Sequence, residues 1–184
     1  MIYFIEGARN VGKTFLIDKL REDYRKNNIQ LDFYKFPFNR VHEAYTFIEA
    51  VDARNDSLEL FYMTLGYTVT LLDLAYQNQL EHDIIIDRGV FSDLVFGVQA
   101  NRTSKKSAIA WWNEFLYTYK DLFKTIYIHS DNTIDNRNKD EWSVYDIKET
   151  HDLYMEIFDK TNYEPIMFKN EYNEESINSF INIF

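Results

Sequence analysis

Cysteine is absent from the 184 residues, which excludes disulfide frameworks, thiol nucleophiles and cysteine-ligated zinc. Such a chain fits a cytoplasmic setting. With two prolines and five glycines there is no Pro/Gly-rich linker, and neither a repeat nor a break in composition divides the chain. Positive charge is scarce: 20 Lys and Arg against 30 Asp and Glu leave a net charge of −10, which argues against a nucleic-acid partner. The longest uncharged stretch, Leu60 to Leu72, falls well short of the ~20 apolar residues of a membrane span. No positive residues precede the apolar start MIYFI, so no signal peptide is expected. The four histidines (42, 82, 129 and 151) show no H-x-x-x-H spacing.

Apolar residues are abundant, at 46%, with 17% aromatics, enough for one domain over residues 1–184 with a full core. Ile2 to Ile5 is a short apolar run suited to a strand covered on both faces. A glycine turn follows, then a helix from Lys13 with Leu16, Leu20 and Tyr24 on one side, closing at Asn27-Asn28. Leu31 to Phe36 is a second strand, stopped by Pro37, and Val41 to Val51 has helical spacing. Asp56-Ser57 can cap a long helix to about Gln79, with Gly66 a weak point inside it.

Asp83 to Asp87, holding three consecutive isoleucines, is the clearest buried strand. Helices are expected over about Val90 to Ala100 and Ser107 to Leu122, with Ile109, Trp112, Leu116, Tyr119 and Phe123 on one face of the latter. Trp112 is expected in the core and Trp111 at a subunit contact. Thr125 to His129 and Glu164 to Phe168 complete five strands. A helix carrying Ile147, His151, Tyr154 and Phe158 lies between these two strands, with His151 a hydrogen-bonded boundary residue, and another begins at Glu174-Glu175. Strands alternating with helices imply right-handed crossovers, hence an α/β domain with a five-stranded parallel sheet flanked by helices in three layers.

Gly7-Ala8-Arg9-Asn10-Val11-Gly12-Lys13-Thr14 matches G-x-x-x-x-G-K-[ST], between a strand and a helix. The pattern is that of the P-loop NTPases. Gly7 and Gly12 permit torsions that let successive amides converge on phosphate oxygens. Lys13 supplies a cation to the β- and γ-phosphates, and the Thr14 hydroxyl a ligand for Mg²⁺. Asp87 closes a buried strand where ligands sit in such sheets, so it can hold Mg²⁺ or act as a base, and Arg88 can reach a phosphate.

Phe4-Ile5-Glu6-Gly7, Phe36-Pro37 and Asp87-Arg88-Gly89-Val90-Phe91-Ser92 together resemble the thymidylate kinases. Ser92-Asp93 is similar to the sister group of deoxynucleoside kinases. The resemblance implies ATP as donor, Mg²⁺ as cofactor and a small nucleotide acceptor. It places Lys35, Phe36, Pro37, Arg40, Arg88 and Ser92 around that acceptor, with Phe61 and Tyr62 at the base-stacking position. It also implies a homodimer and a lid at 132–142, whose Arg137, or Arg9 in the phosphate loop, would stabilise the transferring phosphoryl group. The chain departs from the family pattern at Phe38-Asn39, which precede Arg40, at Asn10 and Gly89, and in having no arginine near Leu65-Gly66.

A nucleoside hydroxyl needs a carboxylate base, which Tyr34-Lys35-Phe36-Pro37 does not provide. A monophosphate acceptor needs cations instead, and Lys35, Arg40 and Arg88 can provide them. These residues favour an ATP:deoxynucleoside-monophosphate kinase. A deoxynucleoside kinase, a kinase of a modified base hydroxyl in DNA, and a non-catalytic nucleotide-binding protein stay open.

Overall fold

The computed structural model describes residues 1–27, 32–35, 58–77, 82–131 and 146–184. In chain order these form β1 (Ile2–Glu6), α1 (Lys13–Lys26), β2 (Asp32–Lys35), α2 (Leu58–Tyr76), β3 (Ile84–Asp87), α3 (Val90–Gln99), α4 (Lys105–Tyr119), β4 (Phe123–His129), α5 (Ile147–Lys160), β5 (Ile166–Lys169) and α6 (Glu174–Ile181). The five strands make one sheet in the order β2-β3-β1-β4-β5, with every pairing parallel. All five carboxyl ends therefore reach one edge. Because β1 lies between β3 and β4, the chain reverses its winding direction at β1, and a crevice for ligands opens above its end.

The strands alternate two apolar sets. Ile2, Phe4, Ile84, Ile86, Phe123 and Tyr127 face a core completed by α2 to α5, including Leu72, Phe91, Trp112 and Tyr154. Tyr3, Ile5, Ile85, Ile126 and Ile128 face the opposite core, closed by Leu16 and Leu20 of α1 and Phe180 of α6. Helices thus cover both faces, as the alternating pattern predicts, and Trp112 is fully buried. Trp111 packs partly buried against the first core.

Some boundaries differ from expectation. Phe123 is the first residue of β4 rather than part of a helix face, because its ring packs at the end of the sheet against Phe4 and Trp112. The fifth strand starts at Ile166, after Pro165, instead of Glu164. Helix α2 runs unbroken through Gly66, which is exposed. The expected helix at 41–51, the cap at Asp56-Ser57 and the lid at 132–142 lie outside the described residues. Among the described residues no helix is long and apolar enough to cross a membrane.

Candidate phosphate-binding site

The phosphate loop leaves β1 at the crevice with three left-handed residues: Gly7 (φ 138°), Asn10 (φ 61°) and Gly12 (φ 83°). A Cβ on Gly7 would run into the backbone carbonyl of Ile128, and one on Gly12 into the side chains of Asn170 and Tyr172. Glycine is therefore required twice, by torsion and by space. The loop is buttressed from the far end of the chain. Asn170 donates to the Val11 carbonyl at 2.9 Å, and the Tyr172 hydroxyl donates to that of Asn10 at 2.7 Å. Gly12 and Gly89 stand at the N-caps of α1 and α3 and have no side chain to cap them, although the Glu6 carboxylate accepts from the Ser92 amide in the first turn of α3. By contrast α5 and α6 are capped by Asp146 and Asn173. The amides at the start of α1, beside the crevice, are thus left for an anion.

Lys13 curls back into the loop. Its ammonium is buried and donates to the Gly7 carbonyl at 2.9 Å and to the Ala8 carbonyl. Burial, and then the Arg88 guanidinium, push this amine well below the usual lysine range. A polyphosphate would supply negative partners that favour its charged form.

Thr14 Oγ1 donates to Asp87 Oδ2 at 3.2 Å, joining the first residues of α1 to the end of β3. The other oxygen, Asp87 Oδ1, is buried and accepts no hydrogen bond among the described residues. A hydroxyl beside a buried carboxylate with a spare oxygen fits Mg²⁺, which takes one or two protein oxygens and fills its shell from phosphates and water. Arg88 has φ 72°, a torsion that is strained for any residue with a Cβ. Its amide donates to the Ile5 carbonyl at 2.9 Å, and its Nη1 reaches the Gly7 carbonyl at 3.3 Å and Ser92 Oγ at 3.4 Å. The guanidinium also lies over the Phe96 ring, 5.0 Å from its centroid. Arg88 therefore points at the phosphate loop.

Ser92 is buried, and its hydroxyl turns inward to the Glu6 carboxylate rather than to the crevice. Lys35 stands opposite Asp87 in the parallel register of β2 and β3, which brings the end of β2 to the same edge. Phe61 and Tyr62 lie on α2. Phe36, Pro37, Arg40 and Arg137 lie outside the described residues. Arg9 is exposed on the loop.

Sequence reasoning passed over three features. Glu6 is fully buried and anchors a hydrogen-bonded cluster with Ser92 and Tyr154. Asn170 and Tyr172 brace the loop. On the β4 side a cleft of about 370 Å³ is bounded by Ala8, Val11, His129, Asp131, Lys148 and His151. There the Tyr127 hydroxyl pairs with His151 Nδ1 at 2.8 Å, so His151 is hydrogen-bonded at a boundary as expected. Burial, and then His151, hold His129 below its ordinary value.

No protein-family model and no curated protein sequence matches the chain. Solved structures do. YorR from Bacillus subtilis, in complex with phosphorylated GDP, aligns with a TM-score of 0.60 at 19% identity, covering 100% of this chain and 93% of that one. The chain shares its fold with YorR. NadR in complex with NR aligns at TM-score 0.54 and 14% identity, covering 98% of this chain and 49% of NadR. A shikimate kinase from Bacteroides thetaiotaomicron aligns at TM-score 0.41 and 16% identity, over 100% of this chain and 95% of the enzyme. Like YorR, the chain has an α/β fold with a parallel sheet flanked by helices.

Proposed function

We propose that the protein is a magnesium-dependent phosphotransferase that moves the γ-phosphoryl group of ATP to a deoxynucleoside 5′-monophosphate. The observation that carries this reading is the convergence of Lys13, Thr14, Asp87 and Arg88 around one loop, on the side of β1 opposite the cleft. That arrangement gives two anionic ligands separate approaches. The donor triphosphate lies on the loop amides and Lys13, and its nucleoside extends into the cleft beside Ala8 and Val11. A cleft of about 370 Å³ is within the range of small-molecule sites. The acceptor approaches from the β3 side, where Arg88 and the end of β2 stand.

The chemistry needs little beyond placement and charge. An acceptor phosphate oxygen attacks the γ-phosphorus, the bond from that phosphorus to the β–γ bridging oxygen breaks, and ADP departs with the bonding electrons. Lys13 and Arg88 balance charge on the reacting oxygens. Thr14 and Asp87 would hold Mg²⁺, which neutralises the triphosphate. Because Asp87 already accepts from Thr14 and has a buried free oxygen, its surroundings suit a metal ligand better than a base for a hydroxyl. This favours an acceptor already ionised. YorR, whose structure holds phosphorylated GDP, supports nucleotide handling on this scaffold.

The test follows ADP and product formation by chromatography, with ATP and GTP as donors, against each deoxynucleoside and each 5′-monophosphate. Turnover of a monophosphate to the diphosphate is expected. Turnover of nucleosides alone would move the assignment to a hydroxyl kinase. Tight MgATP binding with no acceptor turned over would support a non-catalytic nucleotide-binding protein.

A further inference from the structure

Glu6 is an unusual residue for its place. It ends a strand whose other members are all apolar, and its carboxylate is wholly shielded from water. An ionised carboxylate there is costly unless it is fully hydrogen-bonded. The structure provides three donors from two helices, α3 and α5. Oε1 accepts from the Ser92 amide at 3.2 Å, and Oε2 accepts from the Ser92 hydroxyl and, at 3.0 Å, from the Tyr154 hydroxyl. Ser92 and Tyr154 hydroxyls also touch each other at 2.7 Å.

The cluster has an outlet. With its proton given to Glu6, Ser92 Oγ presents its lone pairs to Arg88, whose Nη1 lies 3.4 Å away, and the same nitrogen reaches the Gly7 carbonyl at 3.3 Å. The chain of contacts therefore runs Glu6, Ser92, Arg88, Gly7. Arg88 holds a backbone torsion that its surroundings must impose, and its side chain leaves the phosphate loop only by abandoning Ser92. Tyr154 ties the same carboxylate to α5.

We infer that Glu6 is a positioning residue: through Ser92 its buried carboxylate locks the Arg88 guanidinium onto the Gly7 peptide, at the boundary between donor and acceptor. Glu6 does not meet either ligand. It acts by fixing the angle and the charge balance of the cation that does, and Tyr154 makes that fixing depend on the seating of α5. The catalytic consequence rests on the proposed phosphotransfer, whereas the locking itself does not.

Two measurements separate the two. Nuclear magnetic resonance of the ¹⁵N,¹³C-labelled arginine side chains reports rotation about the Arg88 Cζ–Nη bonds without any ligand. In the wild type this rotation is slow. Glu6→Gln, close in shape but uncharged, accelerates it at least tenfold, and unchanged rotation overturns the inference. Ser92→Ala removes the oxygen between the two charges and must release Arg88 in the same way. It serves where Glu6→Gln folds poorly, and a locked Arg88 in that variant also overturns the inference. The second measurement uses MgATP and the monophosphate that is turned over. Glu6→Gln lowers kcat about tenfold or more with the KM for MgATP within twofold, since small misplacements of a reacting group are expensive. In the Arg88→Ala background the Glu6→Gln change adds no further loss. Additive losses would show that Glu6 acts elsewhere and would overturn it. Release of Arg88 in a protein that turns over no acceptor would support the lock while removing the assigned activity.

Discussion

Replacing Lys13 by Met separates ligand binding from folding more cleanly than any other single change at this site. In the free protein the ammonium is buried, its partners are the Gly7 and Ala8 carbonyls, and burial together with Arg88 disfavours its charge. Deleting that charge removes a desolvation cost and two hydrogen bonds together, so folding free energy should change by only about 1 kcal/mol. Ligand binding is different. A charged hydrogen bond to phosphate contributes about 1.5–3 kcal/mol, which at 1.36 kcal/mol per decade is roughly a 10- to 160-fold loss of MgATP affinity. Titration calorimetry measures it, with urea unfolding as the control. Bound phosphates favour the charged form of Lys13, so proton uptake on binding, read as a dependence of the enthalpy on the buffer, should be larger in the wild type than in Lys13→Met. Stability has a matching sign. The folded value lies below 10.5, so the unfolded chain binds more protons between the two values, and wild-type stability rises with pH up to the unfolded value. MgATP affinity in Lys13→Met within twofold of wild type would refute the reasoning.

Glu6 gives the opposite pH dependence. Burial raises its folded value above 4.5, so the native state holds the extra proton, and stability falls as pH climbs from the unfolded value through the folded one. Urea unfolding across this window should show the slope in wild type and its absence in Glu6→Gln. Asp87→Asn keeps the volume but loses the anionic oxygens, so Mg²⁺ should tighten ATP binding to wild type and leave the variant's affinity unchanged, as read by calorimetry with and without EDTA. Asn170→Ala leaves the Val11 carbonyl without its buried donor and should cost about 1–3 kcal/mol in urea unfolding, with weaker MgATP binding because the loop loses its brace. Gly12→Ala meets both a left-handed torsion and the Asn170 side chain, and should lose MgATP binding while retaining the circular dichroism of the fold.

The layout of the sheet was legible because each strand is a short apolar run and each helix keeps its period, and local pattern reports burial on two faces well. Where it misled, the reason is local too. Tyr119 and Phe123 are four apart, which suits a helix, and the intervening Lys120-Asp121-Leu122 contains no glycine or proline to announce a stop. The phosphate loop announced itself because its function depends on local torsions. Its supports did not, since Asn170 and Tyr172 stand some 160 residues from the carbonyls they satisfy. In the sequence Glu6 stood out only as part of the lead into the phosphate loop. Its burial depends on Tyr154, 148 residues away, and no local window contains both.

Alternation along the strands accounts for how the site divides its work. Glu6 follows Ile2 and Phe4 onto the face covered by α3 and α5, whereas Asp87 follows Ile85 onto the face covered by α1. One acidic group is therefore sunk among aromatic rings and hydroxyls, and the other meets Thr14 at the start of α1. Lys13 lies between the two and feels both as attraction, though less strongly than burial and Arg88 oppose it. Two carboxylates on opposite faces of adjacent strands can hold two cations at one loop without bringing those cations into contact. On the proposed reading Arg88 is locked from one side while Thr14 and Asp87 would hold the metal on the other, so a γ-phosphoryl group in transit over the loop amides would have its charge balanced from both.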